Sequence, residues 1–319
     1  MRVSPRTAAD TGLLVLVNAM WAAQYPAYKT ATAQIGPVTL SVWTFLIASV
    51  VLAPFLLREH RAAAKAPSRA PLSVGATWGN FLLLALLGLV PASVVLAWGT
   101  ALSTASNAAL LYLTVPILTA VLAIGIVGER MSPVRWASLA LSLVGVLIIS
   151  GFDWRHADFR STRFFAGNLL VLVACAASAF YNVYSKKLLR RFTPLEVLVF
   201  GYLLTAALSL PLVPSIEPFS LTSVRAYTTA TWTAVLVLSV FSWGLAMVLW
   251  MYLLKRLDVS QASVSIYLLP FLGVLLSAIT LNEKITKTMV VGGLVTLAGT
   301  ILITSAESAT GAEPVESSP

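Results

Sequence analysis

Residues 106–116 read SNAALLYLTVP and residues 260–270 read SQASVSIYLLP. In each, the closing proline (Pro116, Pro270) is followed by an apolar run, and thirteen residues on, a glutamate stands beside a cation: Glu129 with Arg130, Glu283 with Lys284. Each copy is long enough to cross a membrane, with its proline midway. The chain is therefore read as two related halves.

The remaining composition decides the solvent. The chain is 58% hydrophobic and 10% charged, with a mean hydropathy of +0.88; soluble domains carry about 25% charged residues. This is the composition of a multi-pass membrane protein, with the lipid bilayer as its first partner. The net charge of +9 would suggest nucleic acid in a soluble chain, but here the cations sit in short connections between apolar runs, where they set orientation. No nucleic-acid partner is expected. One cysteine, Cys175, gives no disulfide framework, and with His60 and His156 it makes no zinc ligand set. No metal or cofactor is expected.

A crossing needs about 20 apolar residues, and ten such segments are found near 12–33, 38–57, 76–98, 104–127, 133–151, 164–187, 194–214, 231–254, 260–281 and 286–304. The expected fold is thus all-α, integral to the membrane, with ten transmembrane helices. The domain plan is an N-terminal segment over 1–11, a first repeat over 12–151, a second over 164–304 and a Ser, Glu, Gly and Pro-rich tail over 305–319, expected to be disordered. With an even number of spans, the face holding the termini collects fourteen Lys and Arg against seven on the other. That bias predicts cytoplasmic termini in a cell membrane. Arg2 and Arg6 ahead of an apolar run resemble a signal peptide, but Asn18 and Gln24 within it mark a mature span.

Five spans per half is an odd number, so the second copy enters from the opposite face, as in transporters with inverted repeats. Lys29 and Pro37 recur as Lys186 and Pro194, and Pro116, Glu129 and Gly145 recur as Pro270, Glu283 and Gly299. Together with Trp21 and Gly128, this layout resembles the EamA-type branch of the drug/metabolite transporter superfamily over about residues 10–305. The resemblance implies a central cavity for small metabolites or drugs, alternating access, and export rather than import. Family members often carry an arginine early in the second span. Here Trp43 and Thr44 stand there, so no anion contact is carried over.

Asn18, Trp21, Gln24, Tyr25, Tyr28 and Lys29 recur at spacings of three and four, which makes one polar, aromatic stripe on a helix. Such a stripe faces a solute cavity or bonds to neighbouring helices; Tyr28 and Lys29 also suit the interface. Ser178, Tyr181, Asn182 and Tyr184 repeat the pattern in the sixth span. Tyr112 and Thr114, with Gln261, Ser265 and Tyr267, precede the two prolines. Pro116 and Pro270 are read as hinges or as tolerated packing. Trp243 lies at mid-span and Trp250 and Trp98 nearer a boundary. The proposed solute-binding set is Asn18, Trp21, Gln24, Tyr25, Tyr112, Tyr181, Asn182, Trp243, Ser265 and Tyr267.

Glu129 and Glu283 sit at span ends, where an ion pair or a helix cap explains them better than proton relay. Thr193 to Glu196 reads as a capping box. With no carboxylate at mid-span, no paired acids and no phosphate-binding loop, an enzyme is not indicated, although a membrane-embedded enzyme or a structural or receptor bundle remains the competing class. The small-molecule solute is then the functional partner. The fifth and tenth spans, which look fully apolar, are expected to meet lipid or to form a homodimer contact.

Overall fold

A backbone in lipid must bond its own N–H and C=O groups, and a helix does so within one segment. A computed structural model of the chain describes residues 5–63, 74–102, 111–150, 162–217, 220–269, 272 and 287–310. Among these, all regular structure is helical. Five helices are long and apolar enough to cross a membrane: Pro37–Ala62, Thr77–Val95, Phe165–Leu188, Pro194–Ile216 and Thr229–Arg256. Three shorter apolar helices, Val115–Val127, Pro133–Ile148 and Val290–Leu302, fall in the fourth, fifth and tenth expected spans. Of the ninth, residues 260–269 and 272 are described.

Local chemistry accounts for several departures from the expected segments. The first begins at Pro5, seven residues before the expected start, because proline suits a first helical turn. It is two helices, Pro5–Ala22 and Gln24–Thr32, meeting at Ala23 since Pro26 has no N–H to continue the ladder. The last runs from Lys287 to Thr310, past the expected tail boundary at Ser305. Helix-compatible Ala and Glu follow Ser305, and the first breaker is Gly311. The third and eighth spans each widen into π geometry, at Ala85–Leu89 and Pro91–Val95 and at Val237–Ala246.

The two ends of the repeat pack on each other. A Cβ placed on Gly145 would stand 2.3 Å from Thr296 Oγ1 and 2.7 Å from the Gly292 carbonyl, and one on Gly299 would stand 2.2 Å from Ser142 Oγ and 3.0 Å from the Ser138 carbonyl. As residue numbers rise on one helix they fall on the other, so Pro133–Ser150 and Lys287–Thr310 run antiparallel. Their contacts are reciprocal: Ser142 Oγ lies 3.5 Å from the Thr296 carbonyl and Thr296 Oγ1 lies 3.5 Å from the Ser142 carbonyl, both across 154 residues, while the Thr296 hydroxyl donates to the Gly292 carbonyl at 2.9 Å. The expectation of two fully apolar spans is corrected here. Ser138, Ser142, Thr296 and Thr300 are buried in this seam, where small residues let backbones approach. The opposite faces, with Val144, Val291 and Leu294 exposed, remain for lipid or for a second copy.

Substituting Gly145 by Val should therefore destabilise the fold by about 1–3 kcal/mol through overpacking. Gly125, with nothing within 4 Å of a built Cβ, is the matched control. Thermal melting in detergent should fall for Gly145→Val and not for Gly125→Val; equal melting would contradict the close approach.

Candidate functional site

The site is a seam between the halves, closed at both ends by charge. At one end the Glu129 carboxylate accepts from the Val259 N–H at 2.6 Å, the Ser260 N–H at 3.0 Å and the Ser260 hydroxyl at 2.6 Å. Asp258, the N-cap residue of the Val259–Val264 helix, makes no side-chain cap bond. It is ion-paired instead to Arg135, which also donates to Ser260 Oγ and the Arg130 carbonyl. Lys186 donates to the carbonyls of Leu254 and Leu257, the C-terminal end of the preceding helix, where a cation is favoured. The turn 254–260 is thus gripped by three residues from elsewhere in the chain. Glu129 is a cap, as expected, but of a helix in the other half rather than of its own successor.

At the opposite end Glu217 does the same for the Pro37–Ala63 helix, accepting from Val38 N–H at 2.6 Å, Thr39 N–H at 3.0 Å and the Thr39 hydroxyl at 2.7 Å. Gly36 leaves room for it, since a Cβ there would lie 2.1 Å from Glu217 Oε2. Gln34 Oε1 accepts from Thr228 N–H and Thr231 Oγ1. The Thr193–Glu196 capping box is present as expected, and Glu196 also meets His60 at 2.9 Å.

Between these ends lies an aromatic and amide cluster. Asn18 donates to Ser265 Oγ at 2.9 Å and to the Leu14 carbonyl at 2.7 Å. Trp21, one turn on, packs at 5.1 Å against Trp250. The Trp243 indole N–H donates to Tyr28 Oη at 3.2 Å, and its carbonyl, in the π-widened stretch, accepts from Tyr202 Oη at 2.9 Å. Phe45 stacks on Tyr202 and meets Trp243 edge-on. The third span touches the same cluster, where a Cβ on Gly88 would stand 3.1 Å from Tyr181 Cβ.

Pro116 is the second residue of the Val115–Val127 helix, in its first turn, rather than midway along a continuous one. The break before it exposes carbonyls that other segments satisfy: Tyr267 Oη donates to Leu113 O at 2.9 Å, again across 154 residues, and Cys175 Sγ to Leu111 O at 3.4 Å. Tyr112 Oη lies 3.4 Å from Ser178 Oγ. Ser265 and Tyr267 form a short 3-10 turn in the corresponding place.

The structure thus brings Asn18 to Ser265 directly, ties Tyr267 to the break beside Tyr112, and packs Trp21, Trp243 and Tyr181 around one apolar cluster. The Tyr181 hydroxyl, beside Ser185 and Tyr202, is buried without a satisfied hydrogen bond. Gln24 is half-buried and Asn182 buried, and neither is hydrogen-bonded to the rest. Pro270 and the Tyr25 side chain lie outside the described residues, as do Glu283 and the Lys29 side chain. Sequence reasoning did not single out Tyr202 and Phe45, and it left Tyr28 and Trp250 nearer the interface, outside the solute-binding set. The seven-residue step from Trp243 to Trp250 was the available signal, since it returns to one helix face. Among the described residues no group of three His, Cys, Asp or Glu is placed to hold a metal.

An all-helical bundle of two matched halves, with a polar, aromatic seam between them, defines a multi-pass membrane transporter. The chain belongs to the EamA-like transporter family, whose model matches residues 11–151 and 165–305. It is 28% identical over 297 residues to a probable terminal-alkyne amino-acid exporter of Streptantibioticus cattleyicolor, covering 91% of each chain. It is likewise 28% identical over 297 residues to an uncharacterized transporter of Archaeoglobus fulgidus, covering 92% of this chain and 96% of that one. A solved crystal structure with 22% identity superposes with a TM-score of 0.74 over 93% of this chain and 97% of the other, which shows a shared fold.

Removing the Glu129 carboxylate leaves two buried N–H groups and a hydroxyl unpaired. Glu129→Ala is expected to cost about 1–3 kcal/mol, read as a lower melting temperature in detergent, with Glu129→Gln intermediate because its one amide oxygen still accepts. An unchanged melt for Glu129→Ala would remove the cap.

Proposed function

We propose that this protein is a secondary transporter that carries an uncharged or zwitterionic small metabolite through the seam by alternating access, outward from the cell. Its place is the cell membrane, spanned ten times with both termini in the cytoplasm. The observation that carries this reading is the reciprocity of the halves. Ser142 meets Thr296 and Leu113 meets Tyr267, each pair separated by the repeat offset of 154 residues, and the helices closing the two repeats run antiparallel. Two inverted copies around one seam can exchange conformations, and that exchange opens the seam to one side and then the other.

Asn18, Trp21, Gln24, Tyr25, Tyr112, Tyr181, Asn182, Trp243, Ser265 and Tyr267 line the path in this reading. Pro116, beside the helix break before Val115, and Pro270 are the hinges about which the fourth and ninth spans move in this reading. A net-neutral solute follows from the lining: aromatic faces, amides and hydroxyls, with the nearest carboxylates engaged as caps at the two ends. The exporter name carried by the Streptantibioticus relative supports the outward direction and puts amino acids first among candidate solutes.

Purified protein in liposomes, tested with radiolabelled amino acids, sugars and nucleosides, should move at least one of them. Trp21→Ala and Tyr181→Ala should cut that flux with normal membrane insertion. Absence of flux for every solute, together with turnover of a lipid or nucleotide substrate, would replace transport with enzymology.

A further inference from the structure

Trp250 is fully buried, and its indole N–H has no acceptor among the described residues. Asn18 is fully buried too. Its Nδ2 donates to both the Leu14 carbonyl and Ser265 Oγ, which commits both amide hydrogens and settles which end of the amide is oxygen. That oxygen, Oδ1, has no partner. Trp21 joins the two: it lies three residues after Asn18 on the same helix face, and its ring packs at 5.1 Å and 58° against Trp250. One unused donor and one unused acceptor therefore flank a single tryptophan.

A buried polar atom left without a partner costs about 1–3 kcal/mol, and a low-dielectric interior sharpens that cost. Two orphans of opposite kind, on residues that lie beside one ring, call for partners that the described residues do not supply. Lys186 is tied to the Leu254 and Leu257 carbonyls and Glu129 to Val259 and Ser260, so neither offers its charge to a ligand there. The matching ligand has no net charge.

We propose that Trp250 contacts the solute. The indole N–H donates to a carbonyl or carboxylate oxygen of a net-neutral molecule, while Asn18 Oδ1 accepts from an amine or amide N–H of the same molecule. This rests on the transport reading above and assigns its polar contacts. Trp21 supplies the flat surface between them.

Trp250→Phe tests the claim, because it keeps an aromatic ring against Trp21 while removing the N–H donor together with the smaller ring of the indole. Flux in liposomes, over the same panel of amino acids, sugars and nucleosides, should fall about tenfold, the size of one lost hydrogen bond. The melting temperature in detergent should fall modestly, because the smaller ring leaves a cavity in the core around Trp21, so flux is compared at equal amounts of folded, membrane-inserted protein. Asn18→Leu, close in size, deletes the acceptor Oδ1 and should cut flux with membrane insertion retained. Wild-type flux in Trp250→Phe overturns the assignment. Wild-type flux in Asn18→Leu overturns the role of Oδ1. A wild-type protein that moves no member of the panel overturns the transport reading and this inference together, whereas flux retained by Trp250→Phe overturns the inference alone.

Discussion

A helix that begins inside a packed bundle leaves its first N–H groups without partners, and water is not at hand to take them. In this protein Glu129 and Glu217 take them, each reaching a helix in the opposite half. The negative charge also meets the positive end of the helix dipole. Because cap and capped helix belong to different halves, each of these two helix starts depends on the other half for its backbone bonds. The Thr229–Arg256 helix, about 42 Å long at 1.5 Å per residue, has one of these clasps near each end, so the seam between is bounded top and bottom by cross-half bonds.

Within those bounds the backbone is unusually irregular, and the irregularity falls where the aromatic cluster lies. The third and eighth spans widen to π geometry, and the fourth breaks just before Pro116. Each departure frees a carbonyl or brings backbone close: Trp243 O receives Tyr202, Leu113 O receives Tyr267, and Gly88 abuts Tyr181. Wide turns of this kind gather at functional sites in proteins generally. The tyrosines that answer the freed carbonyls are therefore also what holds the cluster in place.

The duplicated proline stretch made the two halves readable from sequence, because repeats, span lengths and charge bias survive without any knowledge of contacts. The capping role of Glu129 was readable in kind, from its place at a span end, yet its partner was not: Val259 lies 130 residues away, and nothing local announces it. Glu217 escaped for the same reason. The stripe from Asn18 to Tyr28 was legible as periodicity, while Trp250 was not, since a tryptophan near a span end reads as an interface anchor until Trp21 is seen packed on it. The small, hydroxylated face shared by Ser138, Ser142, Thr296 and Thr300 was hidden by the apolar residues that surround it.

Ser142 and Thr296 occupy equivalent places in the two copies and touch each other in both directions. In an assembly of separate subunits, that mutual contact between one position and its own counterpart defines an isologous interface, the mark of a two-fold homodimer. Here both partners lie on one polypeptide. The Pro133–Ser150 and Lys287–Thr310 helices thus form a dimer interface that has been made covalent, and once the two sides were free to differ, a serine could remain on one while a threonine settled on the other.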